Sequence, residues 1–352
     1  MLKCSNSFEE YKGMSEDRFN EILSRISKVK VALIGDLCLD VYWRADMRKS
    51  ELSRETPHYP LPVVQEWMSP GAGGNVAYNI ASLGVEKTFV IGVIGKDWRG
   101  DILKGLFSEK KGMDIRGVFS NGTRVTEAYC KPLRKGVSDV EYEDPRIDFL
   151  NYQPLCLEQE RKIIDFLENV AKEVDVICVS DQSIHGCITS AVRDKINELG
   201  RDGYKIVVDS RYRIGLFGNV ILKPNEVEGW RAVYGKDNEY GASLTELVSA
   251  AVNLSLKNNA DVCMTLGAKG CVYTNGEKST YIPSYEVKPP IDICGAGDTF
   301  ISAFSCAVAA GAKVHEAASF ANMAADVTIT KVATAGTASL EEIRERHKAI
   351  FT

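Results

Sequence analysis

Short apolar runs alternate with helical segments along most of this 352-residue chain, and no other feature restricts its fold as strongly. Most of these runs are continuously apolar, which is typical of strands that are buried on both faces of a parallel sheet. The pattern predicts strands at Val29–Ile34, Thr88–Ile94, Val174–Val179, Lys205–Val208, Val220–Leu222, Asp261–Leu266 and Gly270–Thr274. It predicts helices at Gly74–Leu83, Glu158–Glu173, Ile188–Leu199, Glu226–Val233, Leu244–Asn258 and Asp298–Ala310. We therefore expect an α/β fold, with a doubly wound, mostly parallel sheet flanked by helices.

Two stretches, residues 39–70 and 115–152, break this alternation because they are charged, contain proline and alternate only in part. We interpret them as antiparallel strands of a small β lid. The lid is expected to be inserted in a single domain that spans residues 1–352. Exposed strand edges favour pairing with a second copy, so the lid also predicts a homodimer.

The composition excludes several classes of function. A net charge of −5 gives no general attraction to nucleic acid or to an anionic membrane surface. The apolar runs are too short to span a bilayer, and the N-terminus has no signal-peptide core. The ten cysteines include no C-x-x-C pair, and the four histidines have no metal-binding spacing. We therefore expect a cytoplasmic protein with reduced cysteines that binds neither nucleic acid nor membrane.

The most specific pattern lies at the start of the last predicted helix, where Gly295, Ala296 and Gly297 precede Asp298. Free backbone N–H groups and the positive dipole end make such a helix start an anion site. The two glycines let a bulky anion approach closely. A carboxylate beside an anion suits a base that acts on a nucleophile, so the pattern favours phosphoryl transfer to a hydroxyl. The alternative is an ordinary helix start, in which Asp298 only complements the dipole.

Two segments are expected to bind the acceptor of that phosphoryl group. Asp36 and Asp40 follow the first strand, and their carboxylates suit hydrogen bonds to several hydroxyls. Gly73 and Gly74 open the next helix, and Asn75 offers both a donor and an acceptor to a hydroxyl. The alternatives are turn or cap residues in the first case and a simple glycine-rich helix start in the second.

Two further segments are candidates for the nucleotide and its metal. Asn225 and Glu228 follow a strand and present hard oxygen ligands that suit Mg²⁺, mostly through water. The same spacing also fits a helix capping box, and both interpretations can hold together. The second segment is a glycine-rich turn between two strands, which either approaches a nucleotide or is only a hairpin. It runs from Thr265 through Gly267 to Gly270.

The order of these segments resembles the ribokinase-like carbohydrate kinase family (the PfkB family) from about Val29 to Leu340. The two family signatures correspond to residues 73–84 and 292–298. The resemblance implies that Asp298 is the catalytic base and that the amides of Gly295, Ala296 and Gly297 form the anion hole. It also implies ATP and Mg²⁺ as cofactors. The family's N-x-x-E element falls on Asn225 and Glu228, and the expected nucleotide contacts are Lys223, Asn225, Thr265, Gly267, Gly270 and Asn322.

Within the family, the chain is similar to the kinase module of heptose-7-phosphate kinases of the ADP-heptose pathway. The similarity rests on residues 35–43, 60–64, 146–149 and 330–338. The nucleotidyltransferase of bifunctional members is not expected, because the chain ends soon after. Where those kinases carry Asp-Tyr-x-Lys-Gly, residues 181–186 read Asp-Gln-Ser-Ile-His-Gly, so the lysine is missing. Arg211 is the first candidate to bind a substrate phosphate instead, and the lid bases Arg54, Lys131 and Arg134 are others.

The expected activity is that of an ATP-dependent kinase that phosphorylates a hydroxyl of a sugar or a sugar phosphate, with heptose 7-phosphate as one candidate. Fructose, ribose or nucleoside kinases of the same family are alternatives. A sugar-sensing protein without catalysis is another. A nicotinamide-dependent dehydrogenase is disfavoured, because Gly35-Asp36 stands where G-x-G-x-x-G would follow the first strand.

Overall fold

The computed structural model describes residues 7–138, 140–237, 241–331 and 336–351, so Val332 to Ala335 of the last resembling segment lie outside it. The strands are β1 (Glu9–Glu10), β2 (Lys30–Gly35), β3 (Leu37–Asp46), β4 (Val63–Ala72), β5 (Lys87–Gly95), β6 (Met113–Asn121), β7 (Glu127–Lys135), β8 (Glu141–Glu143), β9 (Ile147–Phe149), β10 (Val176–Asp181), β11 (Ile206–Ser210), β12 (Ile221–Leu222), β13 (Asp261–Thr265), β14 (Cys271–Thr274) and β15 (Ser279–Ile282). Each predicted strand is present within one or two residues of its expected bounds.

The helices are α1 (Glu16–Ile26), α2 (Gly73–Ser82), α3 (Trp98–Ser108), α4 (Leu157–Ala171), α5 (Ser190–Arg201), α6 (Glu226–Tyr234), α7 (Leu244–Asn258), α8 (Ala296–Ala309), α9 (Val314–Ile329) and α10 (Leu340–Phe351). All six predicted helices are confirmed. The sequence pattern did not predict α1, α3, α9 and α10. No helix in the described part of the chain is both long and apolar enough to cross a membrane.

The large sheet has the strand order β1-β15-β14-β13-β12-β11-β10-β2-β5-β6. Its strands pair in parallel except where β14 runs antiparallel to both of its neighbours, β13 and β15. The carboxyl ends of β2, β10, β11 and β12 therefore meet at one edge of the sheet, where ligands of doubly wound folds bind.

Helices cover both faces of this sheet. Along β2, Val31 and Leu33 pack into one core together with α1, α2, α8 and α9, whereas Ala32 and Ile34 pack into a second core with α4, α5 and α7. Because successive side chains of a strand point to opposite faces, a continuously apolar strand supplies both cores at once. The doubly wound α/β prediction is confirmed.

A second sheet, with the order β4-β3-β7-β8 and with β9 paired to β7, forms the predicted lid. The prediction of lid strands at 115–152 is wrong for residues 115–121. These residues belong to β6, which pairs in parallel with β5 of the large sheet and buries Val118. Strand β4 is an outer strand of the lid and exposes Val63 and Val64. The homodimer remains a prediction.

Candidate active site

The first turn of α8 contains Asp298, the residue that the sequence predicts to be the catalytic base. Gly295 caps the helix with φ of 79°, a left-handed conformation that favours glycine. The N–H of Ala296 donates to the carbonyl of Ile293 at 3.2 Å, so Ala296 does not fit the predicted anion hole. Within the described residues, the N–H groups of Gly297 and Asp298 have no hydrogen-bond acceptor. These two amides therefore remain available for an anion.

Gly297 faces open space. A Cβ built on this residue would meet no atom within 4 Å, so packing against the protein does not require a glycine here. The helical backbone does not require one either, because the φ of Gly297 is not positive. A ligand that approaches the unpaired amides would use the free space. Neither packing nor backbone conformation therefore accounts for the glycine at position 297.

Asp298 lies half-buried beside these amides. Its Oδ2 accepts a hydrogen bond of 2.7 Å from Nδ2 of Asn75 on α2, so two predicted site residues from distant parts of the sequence meet here. Burial raises the pKa of Asp298 to about 7, and the charge of Asp209 acts in the same direction, while the Asn75 hydrogen bond and Lys223 oppose the rise. Such a pKa suits a general base near neutral pH.

A buried cluster of charges lies next to Asp298. Lys223 is 3% exposed, and its Nζ is 3.4 Å from Oδ2 of Asp209 at the end of β11. Burial acts to lower the pKa of Lys223, but the charges of Asp209 and Glu228 raise it above its usual value. Lys223 therefore stays cationic and partly neutralises the carboxylates around it. None of the sequence motifs points to Asp209, although its carboxylate directly follows the predicted strand Lys205–Val208.

Asn225 and Glu228 form the capping box of α6. Oδ1 of Asn225 accepts from the Glu228 N–H at 2.8 Å, and Oε2 of Glu228 accepts from the Asn225 N–H at 2.9 Å. Among the described residues, no donor bonds to the second oxygen of Glu228, Oε1. Burial and the charge of Asp209 raise the pKa of Glu228. Buried Asp209 and partly buried Glu228, with its free Oε1, are a donor set that fits a hydrated Mg²⁺, since this ion prefers oxygen ligands and retains waters. No group of three or more metal-binding side chains occurs in the described part of the chain.

The predicted nucleotide residues lie around the same edge of the sheet. Thr265 forms a β-bridge with Asn225, and Gly267 lies exposed in a 3₁₀ turn (Gly267–Lys269) between β13 and β14. Gly270 has φ of 92°, and a Cβ there would collide with backbone atoms near Ile282, so the fold itself requires this glycine. Buried Asn322 on α9 donates to the carbonyl of Pro283 at 3.4 Å.

On the acceptor side, Asp36 faces the protein. Its carboxylate accepts hydrogen bonds from the N–H groups of Gln182, Ser183 and Cys187, at 2.7–2.8 Å. The side chain therefore holds the loop that follows β10, which we call the β10 loop (residues 182–187). Burial, together with the charge of Asp181, raises the pKa of Asp36 to about 6. A direct contact between Asp36 and a sugar remains a prediction.

Asp40 on lid strand β3 pairs with a lysine of the neighbouring lid strand, β7. Its Oδ2 is 3.6 Å from Nζ of Lys131 on β7, and that Nζ donates to the hydroxyl of Tyr42 at 3.0 Å. Gly73 and Gly74 do not open space for a ligand. A Cβ on Gly73 would lie 2.9 Å from the carbonyl oxygen of Asp36, and one on Gly74 would touch Pro70 and Phe107. The glycines allow α2 to pack closely against its neighbours.

The β10 loop is also tied to its surroundings by side chains. The guanidinium of Arg213 bonds to Asp181 and to the carbonyls of Ser183 and Ile184. Oγ of Ser183 donates to Oε2 of Glu127 on lid strand β7 at 2.5 Å. Arg213 is therefore occupied with protein groups and is not free to bind a substrate.

Arg211 differs from Arg213. Its side chain is exposed, and no acceptor bonds to its guanidinium within the described residues. It lines a cavity of about 220 Å³ with Glu228, Arg231 and Lys257. The positive charge of Arg211 acts to lower the pKa of Asp209 and of Glu228 on one side. On the other side it acts to lower the pKa of Tyr129 on lid strand β7. Arg211 thus remains an available cation at the margin of the cleft.

Comparison with known proteins gives a consistent result. The model of the pfkB family carbohydrate kinase matches residues 217–341. The chain is 30% identical over 344 residues to the bifunctional protein HldE of Geotalea uraniireducens, and the alignment covers 94% of this chain and 66% of that protein. The corresponding protein of Citrifermentans bemidjiense is also 30% identical, over 346 residues, with the same coverage. This chain thus spans about two thirds of the length of these relatives.

Solved structures show the same fold. Arabidopsis thaliana ribokinase complexed with ribose and ATP superposes with a TM-score of 0.65 at 19% identity, covering 91% of this chain and 99% of that one. Phosphofructokinase-2 from Escherichia coli in complex with fructose-6-phosphate superposes with a TM-score of 0.70 at 19% identity, covering 92% and 100%. The architecture is therefore ribokinase-like.

Proposed function

We propose that this chain, which belongs to the pfkB family of carbohydrate kinases, transfers the γ-phosphoryl group of ATP to a hydroxyl of a sugar or sugar phosphate. One observation carries this proposal. Asp298, with a pKa raised to about 7 by burial, lies beside two unpaired helix amides at the edge of the sheet. This arrangement combines a base for the acceptor with donors for the transferred group.

In the proposed mechanism, Asp298 takes the proton of the acceptor hydroxyl as the new O–P bond forms. The N–H groups of Gly297 and Asp298, aligned with the dipole of α8, bind the transferred phosphoryl oxygens. A donor of this kind typically lowers the barrier by about 3 kcal/mol. Asp40 and Asn75 are assigned to the acceptor hydroxyls, and the lid strands to the exclusion of water, which competes as acceptor.

We assign ATP to the edge between Asn225, Thr265 and Gly267, and Mg²⁺ to Glu228 and Asp209 through water. When bound, Mg²⁺ neutralises charge on the nucleotide phosphates. Lys223 prevents the buried carboxylates from repelling the nucleotide while it leaves Oε1 of Glu228 open. The predicted contact from Asn225 is limited by its capping bond to Glu228, which already engages Oδ1.

We propose heptose 7-phosphate as the first candidate acceptor. The lysine of the similar heptose kinases is missing, Arg213 is bonded to protein groups, and the lid bases Lys131 and Arg134 are paired with Asp40 and Asp144. We therefore assign the phosphate to Arg211, which lines the cavity beside Glu228, ahead of Arg54 of the lid. Its guanidinium can bond to a phosphate in a bidentate manner.

The acceptor is tested by ADP release from Mg-ATP with free sugars, sugar phosphates and nucleosides. We expect turnover with heptose 7-phosphate and a rise in its KM of about tenfold or more in Arg211→Met, because a charge-assisted hydrogen bond is lost. Arg116→Met, which changes an exposed arginine paired with Asp114, is the control and is expected to leave KM unchanged. Turnover on a free sugar alone would exclude the phosphorylated acceptor, and ATP binding without turnover on any acceptor would favour a sensing role.

The base is tested by Asp298→Asn together with the pH dependence of kcat. The variant is expected to fold and bind ATP but to lose turnover by about 10²- to 10⁴-fold. Only the ionised carboxylate accepts a proton, so wild-type kcat should rise with pH through the Asp298 pKa of about 7. Retention of near-normal turnover in Asp298→Asn would show that another group is the base.

The anion site is tested by Gly297→Ala. A methyl group has free space here and favours a helix, so the free energy of unfolding should stay equal or rise by about 1 kcal/mol. The methyl occupies the path to the amides, so kcat/KM should fall about tenfold or more. Gly105→Ala in α3 also meets open space and should stabilise without loss of activity. Equal activity of the two variants would contradict the anion site.

We further propose a homodimer through the lid. Val63 and Val64 on outer strand β4 are each 50% exposed, and strand pairing with a second copy would cover them. Sedimentation at micromolar concentration should give the mass of two chains, and Val64→Lys should shift it toward one. A wild-type monomer at that concentration would contradict this assembly.

A further inference from the structure

A buried chain of polar side chains lies behind Asp298, between α2, α8 and α9. Nδ2 of Asn75 donates to Asp298, and Nδ2 of Asn79 donates to Oδ1 of Asn75 at 3.2 Å and to its main-chain oxygen at 3.0 Å. The hydroxyl of Thr299 bonds to Oδ1 of Asn79 at 2.9 Å and to Oγ1 of Thr328 at 3.1 Å. Asn79, Thr299 and Thr328 are each 2% exposed or less. None of these three contacts the cleft in the proposed mechanism.

The donor and the acceptor of each hydrogen bond in this network of side chains follow from one main-chain carbonyl, that of Asn75. The main-chain oxygen of Asn75 only accepts, so the side-chain atom of Asn79 that faces it is the amide nitrogen. The same nitrogen faces the side chain of Asn75, which must therefore present its oxygen to Asn79. This leaves the N–H of Asn75 for Asp298. A reversed Asn79 would place two carbonyl oxygens against each other in a buried site.

We propose that Asn79 and Thr299 are positioning residues that fix the Asn75 amide with its N–H toward the catalytic carboxylate. Thr299 donates to Oδ1 of Asn79 and accepts from Thr328, which holds the Asn79 amide from its other end. The inference rests on the proposed role of Asp298 as the base.

The fixed amide has two consequences for the base. It occupies Oδ2 of Asp298, which leaves Oδ1 for the acceptor hydroxyl. The amide also stabilises the ionised form of Asp298, because its N–H donates to a carboxylate, and this opposes the rise in pKa that burial causes. An amide oxygen in the same place could bond only to the protonated acid. Without Asn79, the Asn75 amide is free to turn over.

Other charged and titratable groups also act on Asp298, and the test must leave them unchanged. Asp209 and Asp40 raise its pKa and Lys223 lowers it, while the thiols of Cys38, Cys178 and Cys294 lie within reach of its charge. These groups lie on β3, on β10, on β11, after β12 and before α8. Among the described residues, the side chains of Asn79 and Thr299 make no hydrogen bond to the Asp298 carboxylate and are linked to it by hydrogen bonds through Asn75.

The test is a titration of aspartate carboxyl groups by ¹³C NMR, without substrate, in which the Asp298→Asn spectrum identifies the Asp298 resonance. In Asn79→Leu and Thr299→Val, the Asp298 midpoint should move to higher pH, by about one pH unit for Asn79→Leu, which is the effect of one hydrogen bond to a charged group. Thr299→Ser keeps the hydroxyl and should restore the wild-type midpoint. Ser302→Ala is the matched control, because the acceptors of its buried hydroxyl among the described residues are main-chain oxygens, those of Val76 and Asp298, at the same interface.

Turnover gives the second measurement. The rise of kcat with pH should move to higher pH together with the NMR midpoint, while the KM for ATP stays unchanged. A merely structural role would lower the melting temperature of Asn79→Leu and Ser302→Ala alike and leave both midpoints at the wild-type value, which would overturn the inference. If Asn79→Leu does not fold, a comparison of the Asp298 midpoints of Thr299→Val and Thr299→Ser tests the inference in the same way. An active Asp298→Asn would instead refute the base, whatever the NMR midpoints show.

Discussion

The site depends on the packing of α8 in the centre of one core. The helix contacts α1, α2, α9 and strand β10, and its side chains from Thr299 to Val308 are buried. A helix held in this way cannot shift along its axis without disturbing each of these contacts. Its first turn is thereby placed at the edge of the sheet, with two free amides and one carboxylate facing the cleft.

The carboxylates around that turn are partly neutralised by a nearby lysine. The charge of Asp209 raises the pKa of both Asp298 and Glu228, and buried Lys223 lowers the pKa of both. In the proposed mechanism, full neutralisation of the carboxylates would remove the base, and no neutralisation would repel a polyphosphate. The negative charge that Lys223 leaves uncompensated is, in the same proposal, what favours a divalent cation that arrives with the nucleotide.

Much of this fold could be predicted from sequence because its strands are buried on both faces, which produces continuous apolar runs. Helix α9 was not predicted, since Ala317, Ala318, Ala321 and Ala324 bury it between other elements and little amphipathic contrast remains. Helix α3 contains glycines that weaken the helical pattern. Of the site, Asp298 and Asn75 were predicted and do meet. The Asp36 carboxylate points to the β10 loop because the N–H groups of that loop bond to it. The loop lies beside Asp36 only because β10 pairs with β2 in the folded sheet, and no local sequence pattern predicts that pairing.

The β10 loop has a consequence for how acceptor preference can change during evolution. Its backbone is held by Asp36 from the main sheet, by Arg213 after β11, and through Ser183 by Glu127 of the lid. The bonds from Asp36 and Arg213 engage main-chain atoms of the loop, so they do not depend on which side chains the loop carries. Of these three anchors, only the one to Glu127 uses a loop side chain, the hydroxyl of Ser183, and Glu127 also accepts a hydrogen bond from Asn151. Substitutions in this loop can therefore change the side chains that it presents while its main chain stays attached to the edge of the sheet.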